Sequence, residues 1–115
     1  DANDRFWWGQ FRGNGIGMFD PVTEEITEWQ MPTPWTSPYD AEFDDKTYVW
    51  TGGMNNDLVV RLNVETGEFT EYLLPFETNI RHVDVQKTDN PNNLSSFWVV
   101  GQLNGRITHV EPLVP

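Results

Sequence analysis

The sequence contains no cysteine, only two alanines and only seven basic residues. Without cysteine, disulfide bonds, thiolate metal sites and covalent haem attachment are excluded within these residues. The net charge of −11 argues against a nucleic-acid partner, because a phosphate backbone is bound by clustered Lys and Arg. No apolar run approaches the roughly 18 residues of a membrane span, so we do not expect membrane insertion.

Aromatic residues and turn formers are abundant. The chain has six Trp, seven Phe and three Tyr beside nine Gly and eight Pro. Aromatic side chains favour strands, whereas Gly and Pro favour the tight turns between them. No stretch has the apolar periodicity of a helix over three turns. The composition therefore predicts an all-β protein.

A repeat runs through the chain. The segment from Phe6 to Pro32 returns, 43 positions later, as the segment from Val49 to Pro75. A third copy begins near Phe97, and its tryptophan lies 48 positions after that of the second copy. We therefore divide residues 1–115, a single propeller fragment, into repeats at about 5–32, 38–75 and 80–113. Repeats of this length with several strands each are typical of β-propeller blades.

Alternation of apolar and polar residues predicts ten strands, grouped as three, four and three. A blade cannot bury both faces alone, so blades stack around an axis. Trp7, Trp50 and Trp98 recur at one position and are predicted to be buried between neighbouring sheets. Trp8, Trp29 and Trp35 do not recur, which favours them for a specific surface. The first blade lacks its innermost strand and the last lacks its outermost, so either the rest of a parent chain or neighbouring copies would complete the ring.

Two segments carry a family resemblance. Residues 14–21 read Asn-Gly-Ile-Gly-Met-Phe-Asp-Pro, and residues 65–75 read Glu-Thr-Gly-Glu-Phe-Thr-Glu-Tyr-Leu-Leu-Pro. These blades resemble those of the virginiamycin B lyase-like (streptogramin lyase) propellers. The resemblance implies a ring of about seven blades, of which this chain is the C-terminal portion. It also implies a bacterial protein, and we expect a periplasmic or extracellular one.

The resemblance implies a chemistry that these residues do not reproduce. The lyases open a cyclic depsipeptide by elimination, with a His base, nearby Glu and Mg²⁺. Where the lyase-like blades place Glu, this sequence has Gln10, Gly53 and Gly101. Tyr39 and Arg81 occupy the places of the His, and His82 falls one residue later. We therefore assign no catalytic residue, no metal ligand and no cofactor in this fragment, and expect Mg²⁺ only if the protein is lyase-like.

Loops that enter the inner strands and turns that follow the Trp strands line one mouth of a propeller channel. This places eight polar or aromatic residues on one rim as candidates for binding a small molecule, a sugar or a peptide: Gln10, Arg12, Trp35, Tyr39, Asn55, Arg81, His82 and Gln102. A rim that is merely solvated stays open as the alternative. The acidic residues Asp40, Glu42, Asp44 and Asp45 lack the Gly-containing loop of an EF-hand, so we interpret them as solvated charge.

These observations favour a non-catalytic propeller module that binds or scaffolds within a larger extracytoplasmic bacterial protein. One alternative is a streptogramin B lyase-like C–O lyase whose catalytic residues lie mostly outside this fragment. A second is a structural subunit of an oligomeric propeller.

Overall fold

The computed structural model describes residues 1–89 and 94–113. Its ten strands are β1 (Phe6–Gln10), β2 (Gly15–Asp20), β3 (Glu25–Gln30), β4 (Pro38–Phe43), β5 (Tyr48–Gly53), β6 (Leu58–Asn63), β7 (Phe69–Leu73), β8 (Ile80–Gln86), β9 (Ser96–Gly101) and β10 (Ile107–Val110). No helix is present in these ranges, and none could therefore span a membrane. The longer offset of the third copy, 48 instead of 43, predicts a lengthened surface loop within residues 87–96. Part of that loop, residues 90–93, lies outside the described residues.

The strands form three antiparallel sheets. The first sheet has the order β1-β2-β3, the second β4-β5-β6-β7, and the third β8-β9-β10. The strands that open the second and third sheets, β4 and β8, are called inner strands below. The predicted grouping of three, four and three strands in a partial β-propeller is confirmed. Period-two alternation of burial is clear in β9, whereas β5 is buried along almost its whole length because it lies in the sheet that is covered on both faces.

Two apolar layers hold the three sheets together. Ile16, Val49 and Leu62 are fully buried in the layer between the first and second sheets. Trp50, Phe97 and Val99 lie in the layer between the second and third sheets, where the rings of Trp50 and Phe97 stack with centroids 5.1 Å apart. The second sheet is therefore covered on both faces, whereas the other two are each covered on one.

The recurring tryptophans lie at equivalent positions in the register but differ in burial. Trp50 is fully buried, Trp7 is partly buried against Phe43, and Trp98 is 37% exposed. Burial of all three between sheets was predicted, and for Trp98 the prediction is wrong. Its side chain faces away from the second sheet. Among the described residues, no further sheet covers that face.

Trp29 corrects a second expectation. Its ring stacks on Trp7 with centroids 5.4 Å apart, and it occupies the position that Tyr72 holds against Trp50 in the next sheet. The position does recur, as an aromatic ring rather than as tryptophan. Trp29 therefore packs between the first and second sheets and does not mark a specific surface.

The acidic run around β4 is also more structural than its sequence indicates. Asp44 is 2% exposed, and its Oδ1 atom accepts hydrogen bonds from the backbone N–H groups of Lys46, Thr47 and Tyr48, each 3.0 Å long. Solvated charge is therefore the wrong interpretation for Asp44. Its carboxylate holds the turn between β4 and β5 by satisfying donors that a tight turn leaves without strand partners.

Asp40 and Glu42 link the two inner strands. The Val85 N–H donates to Glu42 Oε2 at 2.9 Å, and the Val83 N–H donates to Asp40 Oδ2 at 3.4 Å. The inner strand of a blade is an edge, so its outward N–H groups have no ladder partner. Carboxylates of one sheet thus cap the free backbone edge of the next.

The partly buried position of Glu42 makes the stability of the fold depend on pH. Burial raises the pKa of Glu42 above its usual value; the Val85 hydrogen bond lowers it in part, while the Asp84 charge raises it further. The folded state therefore holds the Glu42 proton more tightly than the unfolded state does, and stability contributed by this group falls as pH rises through the usual glutamate range toward the folded pKa. Glu42→Gln keeps an acceptor oxygen for Val85 but cannot ionise.

We expect the melting temperature of Glu42→Gln, relative to wild type, to increase as the pH is raised from about 4 to about 7. Thermal unfolding followed by circular dichroism across this range measures the difference. Glu65→Gln, in the exposed β6–β7 turn, is the matched control and should show no such trend. A difference that is constant with pH, or that shrinks, would contradict the assignment.

Candidate ligand-binding rim

A cavity of about 720 Å³ opens at one end of the first two sheets. It lies between the β1–β2 turn, the link from β3 to β4 and the β5–β6 turn. Its lining combines apolar side chains with a few polar ones: Phe11, Arg12, Gly13, Asn14, Gln30, Met31, Pro34, Trp35, Ser37 and Asn55. Small-molecule sites are commonly concave, mostly apolar and of this size, with a few polar groups that orient the ligand.

Trp35 is the most unusual residue of this lining. Its side chain is 79% exposed, and its backbone is in the left-handed region with φ of 63°. Bulky residues rarely adopt this conformation, which tends to persist where the surroundings impose it and which clusters at functional sites. Superposing the inner strands by their register places Glu77 at this position in the next repeat. The fold therefore does not require tryptophan here.

The loop that carries Trp35 is fixed by side-chain hydrogen bonds. The Asn14 amide accepts from the Ser37 N–H at 2.8 Å and donates to the Thr33 carbonyl at 3.0 Å. Asn55 Nδ2 donates to Ser37 Oγ at 2.9 Å, and the Thr36 hydroxyl donates to the Thr33 carbonyl at 2.8 Å. An exposed aromatic ring on a loop pinned in this way loses little conformational entropy when a ligand stacks on it.

The structure brings together part of the predicted rim. Arg12, Trp35 and Asn55 all line the cavity. Tyr39, 55% exposed on the inner strand β4, meets the cavity wall through an edge-on contact with Phe11, with ring centroids 6.3 Å apart. These four residues come from two turns, one link and one strand, and the packing of the first sheet against the second places them side by side.

The other four candidates lie elsewhere. Gln10 Nε2 donates to Glu28 Oε1 on the outward face of the first sheet, at 2.5 Å. Two candidates surround Asn79 near the third sheet: Arg81 Nε donates to its side-chain oxygen at 3.2 Å, and the Gln102 N–H donates to its carbonyl at 3.4 Å. The remaining one, His82, lies on the inner strand β8. None of the four lines the cavity.

The two histidines of the chain lie apart, one beside a carboxylate and the other on an aromatic ring. His82 Nδ1 lies 3.7 Å from Asp40 Oδ2, and its side chain is 82% exposed. His109 lies on β10, and its ring stacks on Trp98 with centroids 4.0 Å apart. Among the described residues, no group of three or more His, Asp or Glu is arranged to hold a metal ion. The described residues therefore do not assemble the donor set that a lyase-like Mg²⁺ site needs.

Sequence reasoning missed the apolar wall of the cavity. Phe11, Met31 and Pro34 contribute to it, and Gln30 lies at its edge. Phe11 gives the one available signal, because it is an aromatic residue in a turn where the second repeat has Met54. Met31 gives none, since its counterpart Leu74 is buried between sheets in the same way.

Comparison with known proteins identifies the fold. No protein-family model and no curated protein matches the sequence. A catalytically inactive virginiamycin B lyase from Staphylococcus aureus, solved with quinupristin, superimposes with a TM-score of 0.69 at 22% identity, covering 99% of this chain and 40% of that one. A streptogramin B lyase superimposes with a TM-score of 0.72 at 17% identity, covering 99% of this chain and 39% of that one.

The chain has the fold of part of a lyase propeller. A selenomethionine-substituted virginiamycin B lyase from Staphylococcus aureus gives the same result, with a TM-score of 0.71 at 17% identity. The chain spans about two fifths of the length of these proteins. The expected resemblance to lyase-like propellers is thus confirmed at the level of the fold.

Proposed function

We propose that this chain is a non-catalytic part of a β-propeller that binds a small, partly apolar ligand in the cavity at its rim. The observation that carries the proposal is the exposed ring of Trp35, fixed in a left-handed backbone conformation beside an apolar wall. Trp35 supplies a stacking surface, while Arg12 and Asn55 supply hydrogen-bond donors for a carbonyl or carboxylate.

The lining favours a peptide-like ligand over a sugar. A sugar presents hydroxyl groups around its ring, and each one that is buried requires a hydrogen-bond partner. Here the wall formed by Phe11, Met31 and Pro34 offers none. A peptide or depsipeptide presents apolar side chains to such a wall and a few carbonyl groups to Arg12 and Asn55. A location outside the cytoplasm in a bacterium stays a prediction.

The test is a binding titration followed by two-dimensional NMR of the 115-residue chain. The probes are quinupristin as a cyclic peptide, a linear peptide mixture and a chitin oligosaccharide. We expect a peptide probe to shift the indole signal of Trp35, and Trp35→Ala to weaken binding at least about tenfold, about 1.4 kcal/mol. Trp8→Ala is the matched control, because Trp8 lies against Gly17 on the outward face of the first sheet. If none of the probes binds, or if both variants bind equally well, this site is not the binding site.

A lyase-like enzyme is the alternative that the fold favours, and its catalytic residues would lie mostly outside this chain. Mass spectrometry of the same quinupristin samples, with and without Mg²⁺, separates the two functions. We expect no ring-opened product, because His82 is exposed and has only the Asp40 carboxylate within 4 Å among the described ion pairs. Ring-opened product that is lost in His82→Ala would overturn the non-catalytic proposal.

A further inference from the structure

One face of the third sheet is apolar and exposed. It carries Trp98, Val100 and Ile107, which are 37%, 48% and 71% exposed, together with His109 on the Trp98 ring. These four residues are called the open face below. Contiguous exposed apolar residues of this kind mark interaction surfaces.

The repeat shows what covers this position in the other sheets. Ile107 corresponds in register to Ile16 of the first sheet and to Val59 of the second, both 0% exposed. In each case the following sheet covers the residue. The open face is therefore the third member of a series whose first two members are interfaces between sheets.

An acidic residue on the inner strand indicates independently that a further inner strand packs on the open face. Glu42 pairs with Trp50 across its sheet and accepts a hydrogen bond from the backbone of the next inner strand at Val85. Asp84 pairs with Trp98 in the same way and is exposed. A carboxylate at this position is suited to cap the free N–H edge of another inner strand.

The occupant cannot be a second copy of this chain in the same arrangement. Within residues 1–89 and 94–113, the first sheet has no inner strand for Asp84 to cap. The inner strands β4 and β8 already pack on the sheets that precede them, with Pro38 and Ile80 against Gly9 and Gly52. The partner must therefore bring an inner strand of its own.

The open face also differs from the two covered faces at one position. Gly9 and Gly52 lie where the next inner strand begins: a Cβ atom on Gly9 would be 2.8 Å from the Pro38 carbonyl oxygen, and one on Gly52 would overlap the Ile80 side chain. The third sheet has Val100 at this position. At Gly9 the neighbouring atoms are backbone, whereas at Gly52 they belong to the Ile80 side chain. An inner strand that approached Val100 as β8 approaches Gly52 would therefore clash if it began with a residue as large as Ile80, whereas a small residue would restore the total volume.

We propose that the open face docks a further propeller sheet, supplied by polypeptide outside these 115 residues, whose inner strand carries a small residue, Gly or Ala, where β8 carries Ile80. Val100 then replaces in the third sheet the volume that Ile80 supplies against Gly52, and Asp84 caps the new inner strand. The open face therefore favours a sheet that has this repeat but begins its inner strand with a small residue, because the large residue of the contact, Val100, is already on the open face.

The absence of cysteine permits a direct test. Ile107→Cys places one thiol on the open face, and Val22→Cys, 85% exposed in the β2–β3 turn, is the matched control. The full chain is extended after Pro115 by a copy of residues 64–113, which supplies an outer strand and then a further sheet. The copy either keeps its native isoleucine or carries Ile80→Ala, and each copy is combined with native Val100 or with Val100→Gly in the chain itself.

Reaction of the thiol with Ellman's reagent measures how well the added sheet covers the open face. Beside native Val100, we expect the copy with Ile80→Ala to slow labelling of the Ile107→Cys variant at least about tenfold. The copy with native isoleucine should do so only beside Val100→Gly. That last combination rebuilds the contact between Gly52 and Ile80 and shows that the copy folds. Labelling of the Val22→Cys variant should stay fast throughout.

Three results would overturn the proposal. The first is fast labelling of the Ile107→Cys variant in every combination, including the rebuilt contact. The second is equal protection by the two copies beside native Val100, because the small partner residue would then be wrong. The third is protection of the same thiol in the unextended chain that increases with protein concentration, because a second copy would then cover the face.

Discussion

Trp50→Ala is expected to destabilise the chain by about 3–5 kcal/mol, the range for removing a fully buried tryptophan. Trp50 is 0% exposed, and its ring contacts Tyr72 of its own sheet and Phe97 of the next, with centroids 6.1 and 5.1 Å away. Removing the indole leaves a cavity in the layer between the second and third sheets. The two sheets cannot simply move together to close that cavity, because the backbone of each sheet is held in place by its strand ladders.

Urea unfolding followed by tryptophan fluorescence and circular dichroism measures this loss. The matched control is Trp98→Ala, since Trp98 has the same register position but lies on the open face, and we expect a loss of about 1 kcal/mol from its stacking with His109. Trp50→Phe retains a ring and should lie between the two, which keeps the comparison measurable if Trp50→Ala does not fold. Equal losses for Trp50→Ala and Trp98→Ala would contradict the assignment of the second layer.

Asp44→Ala is expected to cost about 3 kcal/mol, because it removes a charged acceptor and leaves three backbone N–H groups without it. The three donors belong to residues 46–48, at 3.0 Å each, and Asp44 is 2% exposed. The turn joins an inner strand to the Trp50 strand, so its loosening also releases the contact between the two inner strands.

The variant Asp44→Asn retains the Oδ1 acceptor and should lose less than Asp44→Ala. Asp45→Asn is the control, since Asp45 is exposed, pairs with Lys87 at the surface, and has a φ of 62° that Asn tolerates. Its loss should stay below about 1 kcal/mol. Chemical denaturation of the wild type and the three variants gives the order; a loss in Asp45→Asn as large as that in Asp44→Ala would mean that general charge, and not the turn, is responsible.

The strands themselves follow from local sequence. The predicted number of strands, ten, and their grouping are those of the structure. Alternation and turn chemistry act over a few residues, which is why they can be read without a structure. The repeat also predicts the order of the strands in each sheet, because segments with similar sequences form the same strand pairs.

The candidate site is only partly predictable. Arg12, Trp35 and Asn55 follow from the rule that certain turns meet at one mouth of a propeller. The rule does not separate them from Gln10, which turns to Glu28 on the outward face, because a strand residue changes faces with a single step in register. The apolar wall around Phe11 depends on how far two sheets approach, and no local pattern gives that distance.

The sequence by itself determined the all-β class, the repeat, the number of strands and their grouping, because these depend on periodicity and on turns within about ten residues. Only the tertiary structure decided which of the equivalent tryptophans is buried, that Asp44 is an internal acceptor, and that Val100 breaks the pattern of Gly9 and Gly52. Burial is a property of the space between sheets. Identical positions in a repeat therefore differ according to whether a neighbouring sheet is there to fill that space.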